Sequence, residues 1–139
     1  RFLGDVSAFP KKLQELIRET EEISVGRTGM VLNIAMNYGG RAELTHAFRT
    51  LAQKVKDGSL APEDVTEDTI SSALYTAGQP DPDLIIRPSG DPRPSNFLLW
   101  QSAYAEYVVM DILWPDFRPE DLNAALWEYA NRSRRFGGV

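Results

Sequence analysis

Apolar residues recur along the chain at two kinds of spacing, and their order predicts strands separated by helices. In residues 10–20, Leu13, Leu16 and Ile17 recur at helical spacing among charged and amide side chains, so this segment is predicted to be an amphipathic helix. The next apolar run, MVLNIAM at residues 30–36, is short and almost uninterrupted, which is typical of a buried strand.

The same alternation continues to the end of the sequence. Helices are also predicted at residues 41–56, 65–75, 96–105 and 119–134, and strands at residues 1–5, 83–87 and 107–112. Strands that alternate with helices indicate an α/β fold with a mostly parallel central sheet flanked by helices. No internal repeat, low-complexity tract or linker interrupts the pattern, so a single domain is predicted for residues 1–139.

Composition and charge exclude several classes of function. The 139 residues include no cysteine and one histidine, which excludes a disulfide framework, a thiolate metal site and a multi-histidine metal site. Fifteen basic and twenty acidic residues give a net charge of −5, so no nucleic-acid partner is expected. Because the sequence has no apolar run long enough to span a membrane and no signal-peptide pattern, a cytoplasmic location is expected.

The first residues bear on the completeness of the domain. Residues 1–5 read as the end of a strand and contain no methionine. A chain that starts inside a structural element is expected to be a piece of a longer one. The sheet is therefore predicted to be incomplete at its N-terminus.

The loop at residues 87–96, with the sequence RPSGDPRPSN, carries the clearest candidate chemistry. It follows an apolar strand and precedes a predicted helix, and the free N–H groups and dipole of a helix N-terminus attract anions. Arg87 and Arg93 would add guanidinium groups that suit phosphate oxygens. Ser89 and Ser95 would add hydroxyl donors, so the loop favours a phosphate or diphosphate site.

Other interpretations of this region remain open. The loop could be a surface turn in which the arginines pair with Asp83 and Asp91. Glu106 falls where the predicted helix meets the next strand; a carboxylate near a diphosphate site would suit Mg²⁺, whereas on its own it would be a solvated residue at a helix end. Asp111 is interpreted as a strand-end partner for an arginine.

Two further segments combine glycine with charged or amide side chains. Residues 37–41 (NYGGR) form a strand-to-helix turn, which we interpret as structural. Residues 131–138 (NRSRRFGG) are locally basic in an acidic protein. This run fits a helix C-terminus with arginines that complement the helix dipole, or a flexible arm that carries arginine to an anionic ligand.

Together these segments resemble the undecaprenyl diphosphate synthase-like cis-prenyltransferase family. The resemblance covers nearly the whole chain in order, and its central stretch is highly specific. The matching stretches are LNIAMNYGGR (residues 32–41), DLIIRPSGDPRPSNFLLWQSAYAE (residues 83–106), LWPDF (residues 113–117) and NRSRRFGG (residues 131–138).

The resemblance implies an enzyme that condenses isopentenyl diphosphate with an allylic diphosphate, expected to be farnesyl diphosphate, to give a cis-polyprenyl diphosphate. It also implies Mg²⁺ as a cofactor, a homodimer, and contact with a membrane surface through the lipid product. One alternative within the same fold is head-to-middle coupling of two five-carbon diphosphates to a lavandulyl-type product. A second alternative is a non-catalytic partner subunit of another prenyltransferase.

The resemblance also implies roles for individual residues of this sequence. The implied substrate-binding residues are Arg87, Ser89, Gly90, Arg93, Ser95, Arg135 and Gly137. Glu106 matches the Mg²⁺ ligand, which in homodimeric members is associated with the active site of the neighbouring subunit. Arg135 belongs to a motif that reaches toward a partner subunit's diphosphate, and Met30 and Met36 are expected to line the hydrophobic tunnel for the growing chain.

The sequence departs from the family pattern at the loop and at the N-terminus. Pro88 stands where the family usually has Thr and Asp91 where it usually has Glu, and Pro92 and Pro94 are also unusual, so the loop is expected to be stiff. The N-terminal family motif, which supplies the catalytic aspartate and the allylic diphosphate site, is absent from these residues. The catalytic residue is therefore unknown here, and these residues alone are not expected to catalyse the reaction.

Overall fold

Parallel strand pairing organises both parts of the chain in the computed structural model, which describes residues 1–132. The chain divides into two compact units, Arg1–Gln79 and Pro80–Val139, and the second is described as far as residue 132. Each unit contains one pair of parallel strands together with helices. This confirms the α/β class and the parallel pairing, whereas the prediction of a single domain stays a prediction.

The first unit begins with a strand–helix–strand arrangement. Its elements are β1 (Phe2–Leu3), α1 (Lys11–Ser24), β2 (Ile34–Ala35), α2 (Gly40–Lys56) and α3 (Glu67–Ser71). β1 and β2 run parallel, with Phe2 opposite Ile34 and Leu3 opposite Ala35. The buried apolar residues of this unit are Leu3, Ile17, Ala47, Leu51 and Leu74.

The second unit positions the loop that carries the candidate chemistry. Its elements are β3 (Leu84–Pro88), β4 (Glu106–Met110) and α4 (Pro119–Ala130). β3 and β4 run parallel, with Leu84 opposite Glu106 and Pro88 opposite Met110. Val108 and Ala125 are its buried apolar residues, so β4 and α4 both contribute to the small core.

The predicted strand at residues 30–36 is mostly wrong. Only Ile34–Ala35 forms a strand, and the segment is not buried, since Met30 is 93% exposed and Ile34 is 41% exposed. The physical reason is that β2 pairs with two residues of β1 and no other described strand covers its apolar side chains. An apolar run indicates that burial of its side chains is favourable, but the residues that bury them must be supplied by other segments.

The helix predicted at residues 96–105 does not form, and this segment consists of turns. Ser95, Asn96 and Leu98 have φ values of 48°, 61° and 45°, and this left-handed backbone is incompatible with a right-handed helix. The other predicted helices are confirmed with altered ends. α3 covers only part of residues 65–75, α4 ends at Ala130, and residues 133–134 lie outside the described part.

A buried carboxylate holds the turn after β2 in place. Glu43 is 1% exposed, although it lies in the first turn of α2. The Tyr38 hydroxyl donates to its Oε2 at 2.5 Å, and the Tyr75 backbone N–H donates to its Oε1 at 2.9 Å. The Asn37 amide also donates to the Asp5 carbonyl at 2.8 Å. These contacts fit the structural interpretation of residues 37–41.

We expect Glu43→Gln to lower the free energy of unfolding by about 1–2 kcal/mol, because a buried charge-assisted hydrogen bond is replaced by a neutral one. Urea unfolding followed by circular dichroism measures this loss. Glu19→Gln is the matched control, since Glu19 is exposed on a helix. Equal losses for the two variants would show that the buried contacts of Glu43 do not stabilise the fold.

Candidate functional site

The loop predicted to bind an anion follows the carboxyl end of β3. Ligands of parallel α/β sheets bind beyond this end of the strands. The Ser89 N–H donates to the Ile112 carbonyl at 2.8 Å, and the Gly90 N–H donates to the Met110 carbonyl at 2.9 Å. These two N–H groups therefore fasten the loop to the chain at the end of β4 and are not directed to a ligand.

Gly90 and Ser89 both have the backbone conformation that favours glycine. Their φ values are +74° and +97°, and a Cβ added at Gly90 would lie 3.3 Å from Oδ1 of Asp111. Gly90 thus allows the loop to pass close to the end of β4. Within residues 1–132 Asp111 forms no ion pair with an arginine, so its predicted role is not observed there.

The side chain of Arg87 connects the two ends of the loop. It is half-buried, its Nε donates to the Asp91 carbonyl at 2.7 Å, and its Nη2 donates to the Ser95 hydroxyl at 3.1 Å. Two hydrogen bonds to fixed partners hold the guanidinium plane in one orientation. Arg87 is therefore already positioned before any ligand binds.

Arg93 lies on the exposed side of the same loop. Its Nη2 contacts Oδ2 of Asp91 at 2.7 Å, and the two side chains are 68% and 45% exposed. An exposed ion pair of this kind is worth at most about 1 kcal/mol, so Arg93 can exchange the carboxylate for a stronger anion. Two of the predicted residues thus contact Asp91, Arg87 at the Asp91 backbone carbonyl and Arg93 at the Asp91 carboxylate, and Ser95 joins them through Arg87.

The predicted helix N-terminus does not contribute to this site, because residues 96–105 form turns. The backbone N–H groups of Ser89 and Gly90 are also engaged with carbonyl groups of the chain. The guanidinium groups of Arg87 and Arg93 and the hydroxyl of Ser95 remain as side-chain donors through which the loop could bind an anion. This corrects the expected source of the anion's hydrogen-bond donors.

Glu106 does not lie next to this loop, contrary to the expectation from its position in the sequence. It is the first residue of β4 and lies opposite Leu84, whereas the loop follows Pro88. Because a strand rises roughly 3.3 Å per residue, Glu106 and the start of the loop are about 13 Å apart along the sheet. The Glu106 N–H donates to the Asp83 carbonyl at 2.9 Å, which starts the parallel pairing.

The carboxylate of Glu106 belongs to a network that the sequence reasoning missed. Arg132 donates from Nη1 to Oε2 of Glu106 at 2.9 Å and from Nη2 to Oε1 of Glu128. The hydrogen bond to Glu106, together with the weaker effect of Glu128, raises the pKa of Arg132 above its usual value. The four-residue spacing of Glu128 and Arg132 on a predicted helix was the available signal.

Glu106 can serve as one ligand of a hard cation. Its Oε2 is engaged by Arg132, while its Oε1 has no hydrogen-bond partner among residues 1–132. The described residues contain no group of three or more histidine, cysteine, aspartate or glutamate side chains that could hold a metal ion. Mg²⁺ is commonly bound by one or two carboxylates together with substrate phosphates, so the donor set fits a site completed by other groups.

The two methionines predicted to line a tunnel have different surroundings in the first unit. Met30 lines a groove of about 670 Å³, together with Phe2, Val31, Leu32 and Ile34 among others. Met36 is half-buried and is not among the lining residues. The two remaining predicted site residues, Arg135 and Gly137, lie outside the described residues.

Comparison with known proteins places this arrangement in a family. The family model of undecaprenyl diphosphate synthases matches residues 1–137. An isoprenyl transferase of Clostridium perfringens is 49% identical over 137 residues, which are 99% of this chain and 54% of that protein. The ditrans,polycis-undecaprenyl-diphosphate synthase ((2E,6E)-farnesyl-diphosphate specific) of Escherichia coli strain K12 is 48% identical over 100% of this chain and 55% of its own length.

A solved structure gives the same result for the fold. The crystal structure of lavandulyl diphosphate synthase from Lavandula x intermedia in complex with dimethylallyl diphosphate matches with a TM-score of 0.95 and 41% identity. The match covers 99% of this chain and 59% of that chain. This chain spans about half the length of the curated relatives it matches. The chain belongs to the undecaprenyl diphosphate synthase family of prenyltransferases.

Proposed function

We propose that this chain contributes the isopentenyl diphosphate-binding part of a cis-prenyltransferase, which condenses that substrate with an allylic diphosphate to give a cis-polyprenyl diphosphate. The observation that carries the proposal is the cluster of Arg87, Arg93 and Ser95 around Asp91, beyond the carboxyl end of β3. Farnesyl diphosphate is the proposed allylic substrate, in keeping with the specificity that the name of the Escherichia coli relative states.

The reaction displaces diphosphate from an allylic carbon, and the alkene of the second substrate must lie close to that carbon. Holding this alkene in place is a positioning task, and positioning can supply a large part of the rate enhancement. Arg87 would bind the diphosphate from a fixed position, whereas Arg93 would leave Asp91 to close over it. Ser95 would add a hydroxyl donor, while Ser89 and Gly90 would maintain the loop conformation.

Mg²⁺ is the proposed cofactor, with Glu106 as one of its ligands. When bound, it would neutralise negative charge that develops on the leaving diphosphate. The separation of about 13 Å between Glu106 and the loop supports a homodimer in which each serves a different site. The catalytic aspartate and the allylic diphosphate site would be supplied by residues outside these 139.

The remaining proposed features concern the lipid. The groove lined by Met30 is proposed to form part of the wall along which the growing chain lies, and Met36 is a weaker candidate. Within residues 1–132 no helix is long and apolar enough to cross a bilayer. A cytoplasmic location with peripheral membrane contact through the lipid product is proposed.

Head-to-middle coupling is a second candidate because of one specific observation. The structural match with a TM-score of 0.95 is to a lavandulyl diphosphate synthase. The altered loop, with Pro88, Pro92 and Pro94, is compatible with changed substrate geometry. A coupling of two five-carbon diphosphates would use the same guanidinium cluster for one of them.

The nature of the lipid product distinguishes these candidates. The full-length protein is incubated with farnesyl diphosphate, isotope-labelled isopentenyl diphosphate and Mg²⁺, and extracted lipids are analysed by mass spectrometry. We expect a ladder of five-carbon additions, whose longest member gives the product length. A branched short product from dimethylallyl diphosphate alone would support head-to-middle coupling. No product in either reaction would contradict both and favour a non-catalytic partner subunit.

A further inference from the structure

Arg132 joins two carboxylates that come from different elements of the second unit. Glu106 is the first residue of β4, and Glu128 lies in the last turns of α4. Arg132 follows α4 and donates from one terminal nitrogen to each of them. Its side chain is 33% exposed, and that of Glu106 is 25% exposed, so the contact is partly screened from water.

This geometry leaves the two oxygens of Glu106 in different states. Oε2 accepts the hydrogen bond from Arg132 at 2.9 Å. Oε1 accepts none from the described residues. A planar guanidinium that is itself held by Glu128 restricts rotation of the carboxylate. Glu106 is thereby presented with one open oxygen in a fixed orientation.

The guanidinium also occupies the place that a cation would take between the two carboxylates. Without Arg132, Glu106 and Glu128 would face one another as two like charges, which is an arrangement that binds divalent cations. With Arg132 present, a free divalent ion meets one open oxygen and a neighbouring positive charge. Binding there would require further anionic ligands, and the phosphate oxygens of a diphosphate substrate could provide them.

We propose that Arg132 is a positioning residue for Glu106, which fixes its carboxylate through Oε2 and prevents Glu106 and Glu128 from chelating a free divalent cation. The functional consequence of this arrangement rests on the proposed function, in which Glu106 is a Mg²⁺ ligand. The contacts of Arg132 would make metal binding at Glu106 depend on the diphosphate that accompanies the metal.

The test measures binding of Mn²⁺ alone to the purified chain by electron paramagnetic resonance, which follows the signal of the free ion. We expect Arg132→Gln to lower the dissociation constant for Mn²⁺ by about tenfold, because two adjacent carboxylates lose their counter-charge. Arg132→Met, which keeps an apolar stem, should give the same gain. Arg132→Lys retains the charge and should stay within about twofold of the unaltered chain.

Two controls separate this effect from general electrostatics. Adding Glu106→Gln to Arg132→Gln should abolish the gain. Arg18→Gln also releases a glutamate from a four-residue helical pair, but this pair is separated by 3.6 Å and its side chains are 69% and 66% exposed, so little change is expected. Thermal unfolding by circular dichroism confirms that each variant is folded.

The proposal is overturned if Arg132→Gln and Arg132→Met leave the affinity for Mn²⁺ unchanged, or if Arg18→Gln gives an equal gain. Persistence of the gain in the double variant would also overturn it, because the ion would then bind without Glu106. The titration requires no turnover. Its outcome is therefore independent of the product assay that tests the proposed function.

Discussion

Replacing Arg93 by alanine in the full-length protein is expected to raise the KM for isopentenyl diphosphate by about 30- to 100-fold, which corresponds to about 2–3 kcal/mol of lost binding. The KM for the allylic diphosphate should change by less than about threefold, because the proposed site for that substrate lies outside this loop. The asymmetry follows from the position of Arg93, which belongs to the same short loop as Arg87 and Ser95 and has a side chain that is 68% exposed to an incoming anion.

The size of this effect is set by the difference between two contacts of Arg93, its ion pair with Asp91 and its expected contact with the diphosphate. In the structure it forms an exposed ion pair with Asp91, whose net contribution is at most about 1 kcal/mol. A doubly hydrogen-bonded contact with a diphosphate is stronger, since a diphosphate carries more negative charge than a carboxylate and offers two oxygens to the guanidinium. Loss of the guanidinium should therefore weaken substrate binding far more than it weakens the fold.

Steady-state kinetics with each substrate varied in turn would measure both constants. Arg18→Ala is a suitable control, because it removes an exposed arginine that pairs with Glu22 on the same helix. Both KM values should remain within about twofold in that variant. Equal increases for the two substrates after Arg93→Ala would contradict the assignment of the loop to isopentenyl diphosphate.

Hydrophobic spacing predicted an element correctly where its apolar face packs against the core of the same unit. The helix predicted at residues 41–56 is observed as α2 (Gly40–Lys56), because its apolar stripe meets the core of the same unit at Ala47 and Leu51. Residues 30–36 have a stronger apolar signal, yet only Ile34–Ala35 forms a strand. An apolar run does not specify its partner, and the described first unit offers β2 a single neighbouring strand.

The helix predicted at residues 96–105 failed for a conformational reason. Its apolar residues suited a buried helix, but three nearby residues with positive φ turn the chain instead. Asparagine tolerates this conformation better than most residues, whereas Ser95 and Leu98 give no such signal. Spacing along the sequence therefore could not reveal these turns.

The candidate site was predictable in its chemistry and less so in its geometry. Arg87, Arg93 and Ser95 share one short loop, as their closeness in sequence requires, and their role in substrate binding stays a prediction. Closeness in sequence suggested that Glu106 lies near that loop. Because β3 and β4 are parallel, Glu106 at the start of β4 lies opposite Leu84 at the start of β3, whereas the loop follows the end of β3. Arg132 was missed, because contact between the end of α4 and the start of β4 is a property of the tertiary structure.

Gly4→Ala is expected to have the largest effect on stability, with a loss of about 4 kcal/mol or more in the free energy of unfolding. Gly4 has a φ of +119°, and an added Cβ would lie 2.2 Å from the Met36 carbonyl oxygen. Neither segment can easily withdraw, because the Met36 N–H donates to the Leu3 carbonyl at 2.9 Å, and the Asp5 N–H donates to the Asn37 carbonyl at 3.4 Å.

The matched control for this variant is Gly26→Ala, which separates the steric clash from the cost of the backbone conformation. Gly26 also has a positive φ of +78°, but a Cβ there would meet no atom within 4 Å. Its replacement should cost only about 1 kcal/mol, which is typical of a non-glycine residue in left-handed backbone. Urea unfolding of both variants would measure the two losses. Similar values would mean that β1 and the turn after β2 can separate at little cost, so their close approach would not determine the stability of the first unit.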